Sequence, residues 1–215
     1  MRIINLIKLM PKIAVFKTLY YSIKFNGIVV VGRNCKINIK KGGKIIFENK
    51  KSSVYIGVHF SLAQGATLDI YQDGILQVGK SVGIYRGSKI VVQKKAFLSI
   101  GSGAFINENS RVQCLEKITI GNLTSIAWNC TITDSDLHGI YQNNKLLNPN
   151  SQIFIGDNVW VGANTTITKG VVIKNNCIIG ANSLVTNKNK ALESNCIYGG
   201  NPLKYIKKFD YWGSL

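Results

Sequence analysis

Apolar residues return at every sixth position over most of this chain. The series runs Ile56, Leu62, Leu68; then Val78, Ile84, Ile90; then Ile100, Ile106, Val112; then Ile120, Ile126, Ile132. A last run, Ile155, Val161, Ile167, Ile173, Ile179 and Val185, keeps the step without a slip. A period of six fits neither a helix nor a simple alternating strand. It predicts short flat strands joined by sharp corners, three to a coil, each aliphatic residue pointing inward. Adjacent coils then pair as parallel strands about 4.8 Å apart. Steps of ten, ten and eight residues separate the first four triplets, giving turns of 22, 22 and 20 residues. These predict one bulged or extended corner per early coil.

The residues between the aliphatic positions agree with that geometry. Gly often follows directly (Gly57, Gly79, Gly101, Gly121, Gly156, Gly162, Gly180). Asn recurs at the third place: Asn109, Asn129, Asn158, Asn164, Asn176, Asn182. Asn tolerates the left-handed backbone that a corner often requires. The fourth place is small or β-branched, as at Ser88, Ser110, Thr124, Cys130, Thr165, Cys177 and Ser183. Such a residue can share a cramped interior.

Two segments flank the repeat. Residues 3–25 interleave apolar positions with Lys8, Lys12, Lys17 and Lys24 and contain no acid. They predict a basic amphipathic helical segment over residues 1–26, broken near Pro11. Two roles stay open for it: a cap over the first coil or between subunits, and a peripheral foot on an anionic membrane. Residues 27–190 form the β-helix, beginning with a degenerate first coil, and 191–215 form a C-terminal tail.

Composition narrows the class. Apolar residues make up 46% of 215, enough for a core, and no run of about 18 uncharged apolar residues exists to span a bilayer. The net charge is +17. It is uneven: residues 1–53 carry twelve Lys/Arg and one acid, Glu48. A basic surface favours phosphates, nucleic acid or anionic lipid, and charge alone does not choose. Five Cys, an odd number with no CxxC spacing and no secretory signal pattern, predict reduced thiols and a cytoplasmic setting, at most peripheral to the inner membrane face. Cys130 and Cys177 read as interior packing. His59 reads as a surface residue. With two His in the chain, no metal site is expected.

The chemistry is expected where the repeat breaks. Between Ile132 and Ile155 the register is lost for 23 residues. Long loops in compact folds are usually functional or disordered. This one, residues 133–154, opens with TDSDLHGIY and so holds His138 beside Asp134 and Asp136. His is the side chain best suited to take a proton near neutral pH. A carboxylate on one ring nitrogen would fix the tautomer and leave the other nitrogen as base. The spacing does not choose between Asp134 and Asp136, and a backbone carbonyl could serve instead.

IAWNCTITDSDLHGI at 126–140 and IFIGDNVWVGANTTITKGVVIKNNCIIGANSLVTN at 153–187 resemble the hexapeptide-repeat acyltransferase superfamily. Within it they are most similar to sugar and xenobiotic O-acetyltransferases, chiefly those that modify bacterial polysaccharides. The resemblance covers roughly residues 100–208. It implies an all-β, left-handed parallel β-helix, against the usual right-handed crossover rule. It implies acetyl-CoA as co-substrate, with no permanently bound cofactor, and His138 as general base toward a sugar hydroxyl of a cell-surface polysaccharide or its precursor. It carries an oxyanion-binding N–H onto Ala163 and a substrate-holding role onto Asn107. Trp160 would wall the pantetheine channel or pack beneath the loop. Ala181, Thr186, Lys204 and Lys207 would meet the coenzyme. The family often has Lys after the Thr; here Asn187 stands there and Lys188 follows, so one phosphate contact is displaced. A homotrimer with sites between adjacent helices is also implied. The alternatives are an N-acetyltransferase on an amino sugar, an antibiotic-modifying enzyme, or a non-catalytic basic β-helix that binds anionic polymer. The last would explain the charge but not the cluster of Asp134 and His138, and no nucleic-acid partner is expected.

Overall fold

The computed structural model describes residues 13–58, 65–188 and 191–213. The expectations for residues 1–12, His59 and Leu62 lie outside the described residues.

The chain winds a left-handed, three-sided parallel β-helix. The first face stacks Ile28–Val31, Ser53–Ile56, Val82–Ile84, Phe105–Ile106, Ser125–Ile126, Trp160–Val161, Ile178–Ile179 and Cys196–Gly199. The second stacks Lys36–Ile39, Thr67–Ile70, Lys89–Val92, Arg111–Cys114, Thr131–Thr133, Thr166–Ile167 and Leu184–Val185. The third stacks Lys44–Phe47, Ile75–Val78, Phe97–Ile100, Lys117–Ile120, Ile153–Ile155 and Val172–Ile173. Every pairing within these stacks is parallel and in register with the repeat: Ile84 meets Ile106, which meets Ile126, which meets Val161. These inward residues are fully buried and form one continuous core.

The ten-residue steps are not bulged corners. The corner Gln93–Ala96 between Lys89–Val92 and Phe97–Ile100 is as long as Thr168–Val171 in a regular coil. The extra residues lengthen the strands instead, so each carries two inward side chains: Ile90 with Val92, and Leu98 with Ile100, all fully buried. The early coils are therefore wider, not kinked. The eight-residue step is the converse. Between Arg111–Cys114 and Lys117–Ile120 the corner is cut to Leu115 and Glu116.

The Asn expectation holds at all six positions. Asn109, Asn129, Asn158, Asn164, Asn176 and Asn182 lie at φ of 52–58°. The fourth-place residues do more than fit. Ser110 Oγ donates to the Ala127 carbonyl (2.8 Å) and accepts from the Cys130 N–H (3.0 Å). Thr124 Oγ1 does the same toward Gly156 (2.7 Å) and Val159 (3.1 Å). The thiols of Cys130 and Cys177 donate to the carbonyls of Gly162 (3.3 Å) and Glu193 (2.9 Å). Each corner thus leaves few orphaned backbone groups in the dry interior. Some glycines are required by close approach: a Cβ on Gly121 would run into the backbone of Gly156.

The helix Val15–Phe25 caps the first coil. Thr18 Oγ1 accepts from the Val31 N–H (3.0 Å), and Tyr21 Oη donates to the Ile37 carbonyl (3.1 Å). The helix ends at Asn26, which is left-handed at φ 50°. At the other end stacking continues past Val185. Leu192 bridges Ile173, and Cys196–Gly199 pairs with Ile178–Ile179. Lys204–Lys208 then folds back antiparallel on Cys196–Gly199.

Candidate functional site

The loop leaves the second face after Thr131–Thr133 and rejoins the third at Ile153–Ile155. Its neck is closed by backbone bonds. The Asp134 carbonyl accepts from the Ser151 N–H (3.0 Å), and the Ser151 carbonyl accepts from the Gly170 N–H (3.0 Å). Beyond the neck, Tyr141–Gln142 and Lys145–Leu146 form an antiparallel hairpin. Asn143 and Asn144, both at positive φ, make its two-residue turn, as a primed hairpin turn requires.

Asp134 does not orient His138. Its side chain is buried at the base of the loop and accepts the N–H groups of Leu115 (2.7 Å), Glu116 (2.8 Å) and Lys117 (2.9 Å). Those are the amides of the shortened corner in the coil below. The Cys114 thiol also points at it (3.7 Å). Burial pushes the carboxyl upward, and the three N–H donors pull it part of the way back. Burial and the Asp134 charge together push the Cys114 thiol upward, so it stays protonated. Asp136 is committed elsewhere too. Lys169 Nζ donates to it (2.6 Å), as does Asn148 Nδ2 (2.8 Å), and the two hold its carboxyl below the usual range. Among the described residues no hydrogen bond joins either carboxylate to the His138 ring. Proximity in sequence suggested a pairing that the loop's own folding uses up.

His138 is held through its backbone instead. Asn148 Nδ2 donates to the His138 carbonyl (2.8 Å), while Asn148 Oδ1 accepts from the Ile140 N–H (2.6 Å). Lys169 Nζ also donates to the Asn148 carbonyl (3.0 Å). Asn148 and Lys169 were not singled out from the sequence; only the Asn-Pro step at the loop's return hinted that Asn148 is structural. The His138 side chain is exposed. It lines a cavity of about 280 Å³ with Leu115, Ser135, Leu137, Tyr141 and Asn148 among its walls. A second cavity of about 480 Å³ reaches the loop at Asp136 and includes Thr186, Lys188 and Pro202. So Thr186, one of the expected coenzyme residues, lines a cavity that also touches the loop.

The other expected residues lie elsewhere on the prism. Asn107, Ala163 and Ala181 occupy the corner between the first and second faces, whereas His138 projects between the second and third. The corner is a vertical column: the Ala163 carbonyl accepts from the Asn182 N–H (2.8 Å) one coil on. Asn107 Oδ1 is spent on the Glu108 N–H (2.9 Å), and its carbonyl accepts from Ser88 Oγ (2.7 Å). Trp160 stands exposed on the first face. The tail covers part of it, with Trp212 tilted against Trp160 at 5.9 Å and Trp212 Nε1 donating to the Asn158 carbonyl (2.8 Å). Lys204 and Lys207 are exposed on the closing strand. One chain therefore holds His138 and Thr186 on one edge and Asn107, Ala163 and Ala181 on another.

Known proteins resemble this chain in sequence and in fold. The family model described as bacterial transferase hexapeptide, six repeats, matches residues 152–187. The Escherichia coli K12 protein WbbJ, named for O-acetyl transfer in lipopolysaccharide biosynthesis, is 27% identical over 152 residues, covering 66% of this chain and 76% of its own. Galactoside O-acetyltransferase of the same organism is 31% identical over 116 residues, covering 53% of this chain; the match spans 55% of that protein. The crystal structure of the polysialic acid O-acetyltransferase OatWY superposes with a TM-score of 0.66 at 27% identity, covering 85% of this chain and 89% of its own.

Proposed function

We propose, from the premise that this chain is a hexapeptide-repeat acyltransferase related to bacterial sugar and polysaccharide O-acetyltransferases, that it moves an acetyl group from acetyl-CoA to a hydroxyl of a sugar. The acceptor is a unit of a cell-surface polysaccharide or of its precursor. The observation that carries this reading is His138: an exposed imidazole at the wall of a cavity, on a loop whose every neighbouring carboxylate is already engaged.

The imidazole takes the proton of the acceptor hydroxyl, and the oxygen attacks the thioester carbonyl. The tetrahedral intermediate collapses with loss of the CoA thiolate, which recovers the proton from the imidazolium. A positioned base of this kind contributes about 10²–10⁴ in rate. The oxyanion is met by the Ala163 N–H of a neighbouring copy; among the described residues no acceptor takes that N–H. An oxyanion donor is worth about 10²–10³. Asn107, Trp160, Ala181, Thr186, Lys204 and Lys207 line the path of the acceptor and the coenzyme. The separation of the His138 edge from the Ala163 edge supports a site shared between copies in a trimer. The exposed Trp128 at the corner between the first and second faces, with Phe154 and Val172 on the third face, gives such copies apolar surface to bury.

Thiol release from acetyl-CoA, measured with a panel of sugar acceptors, tests the reading. Wild type should show acceptor-dependent release, and His138→Ala should lower it by about 10²–10⁴ with the fold unchanged. Equal acceptor-dependent rates in the two proteins would remove His138 from the mechanism.

A further inference from the structure

The helix Val15–Phe25 presents two unlike faces. Thr18, Tyr21, Ser22 and Phe25 turn toward the first coil, which they cap. Phe16, Leu19, Tyr20 and Ile23, spaced three and four apart, form a single stripe on the opposite side. Among the described residues that stripe is uncovered: Phe16 is 90% exposed and Ile23 79%. A monomer seldom leaves so compact an apolar row in water without a partner for it. Lys17 and Lys24 run along one flank of the stripe, seven residues apart.

The coil beneath adds charge that is nearly all positive. Arg33, Lys36, Lys40, Lys41, Lys44, Lys50 and Lys51 are all exposed around it, and Glu48 is the single acid between residues 13 and 58. The end of the prism is thus a bare apolar ridge within a ring of cations.

From this pairing we propose that the N-terminal end of the β-helix docks on an anionic lipid bilayer, the ridge entering the headgroup boundary and the ring facing the acidic headgroups. The two features select this occupant together. A second copy meeting the same face would set nine cations and one acid against an identical set. A nucleic acid would use the ring but gain nothing from Phe16 and Ile23 in water-filled grooves. A bilayer offers negative charge and an apolar layer a few ångströms beneath it. Among the described residues no helix is long and apolar enough to cross a membrane, so the contact is peripheral. This inference does not depend on the acetyl-transfer reading, since no residue in it touches the loop of His138.

Co-sedimentation of the full chain with vesicles tests it. Phosphatidylcholine vesicles are compared with vesicles of phosphatidylcholine and phosphatidylglycerol in equal parts. The chain should pellet with the anionic vesicles and remain in solution with the neutral ones. Raising salt should release it, because each cation near such a surface is worth about fivefold in partition. Phe16→Ser combined with Ile23→Ser should weaken binding by at least about tenfold. Lys40→Gln, Lys41→Gln and Lys44→Gln together should weaken it by about a hundredfold. All five side chains are exposed, and thermal unfolding of each variant confirms that it is folded. Equal partition to neutral and anionic vesicles overturns the proposal, as does undiminished binding by the Phe16/Ile23 variant. Loss of oligomer in that variant without lipid binding by wild type overturns it in favour of a second copy. Failure of acetyl transfer with intact vesicle binding would refute only the enzymatic reading.

Discussion

Replacing Asp134 by Ala separates two roles for this carboxylate. In the structure it serves the corner of the coil below, where it receives three backbone N–H groups at 2.7–2.9 Å. Leu115 is half-buried there, while Glu116 and Lys117 are exposed. An orphaned N–H at Leu115 costs about 1–3 kcal/mol, and the two water-accessible ones lose about 0.5–1.5 kcal/mol each. Removing a buried charge relieves part of this, because burial raises the Asp134 carboxyl. The expected loss is about 2–4 kcal/mol. For a chain of 215 residues this lowers Tm by roughly 5–15 °C. The assay is thermal unfolding, paired with hydrogen exchange at Leu115, Glu116 and Lys117, whose amides should exchange faster. His138→Ala, at an exposed position, should leave Tm unchanged. The reasoning fails if Asp134→Ala keeps the wild-type Tm and amide protection yet shifts the pH–rate profile. That result would place the carboxylate on the imidazole instead.

Asn148→Ala should free the His138 backbone without removing the base, lowering acceptor-dependent turnover by up to about 10²-fold, the scale of a misplacement near 1 Å; limited proteolysis should then cut the loop faster. Lys169→Met should give a milder form of the same effect, and a loop equally protected in both variants would contradict the clamp. Lys169 and Asn148 depress the Asp136 carboxyl below its ordinary 3.8, so the ion pair's contribution is complete above that value and disappears as pH falls through the depressed folded pKa. An NMR titration of Asp136 should therefore move toward ordinary behaviour in Lys169→Met. At Asn164, held at φ 58°, substitution by Ala should cost about 1–2 kcal/mol and by Gly far less, measured by urea unfolding.

The sequence by itself determined the scaffold. A strict six-residue step admits few geometries, because the inward residue must recur at each strand and a sharp corner must fit in between, at which a residue often takes a left-handed backbone conformation. The Asn positions carried that second requirement openly, since few residues other than Gly and Asn accept it without strain. The loop and its imidazole were legible for the same reason: a break in so regular a pattern marks itself. Tertiary structure alone decided the partners. Asp134 and Asp136 stand four and two residues from His138, yet sequence distance gives no direction. The shortened corner at Leu115–Glu116, 19 residues earlier, had amides in need of an acceptor and took Asp134. Lys169, 33 residues later, took Asp136. Stacking also decided which expected residues share an edge. Positions a multiple of one coil apart fall in one column, so Ala163 and Ala181 align while His138 projects from a different corner. That placement follows from where each coil turns, which depends on strand lengths that the aliphatic spacing alone left to either strand or corner.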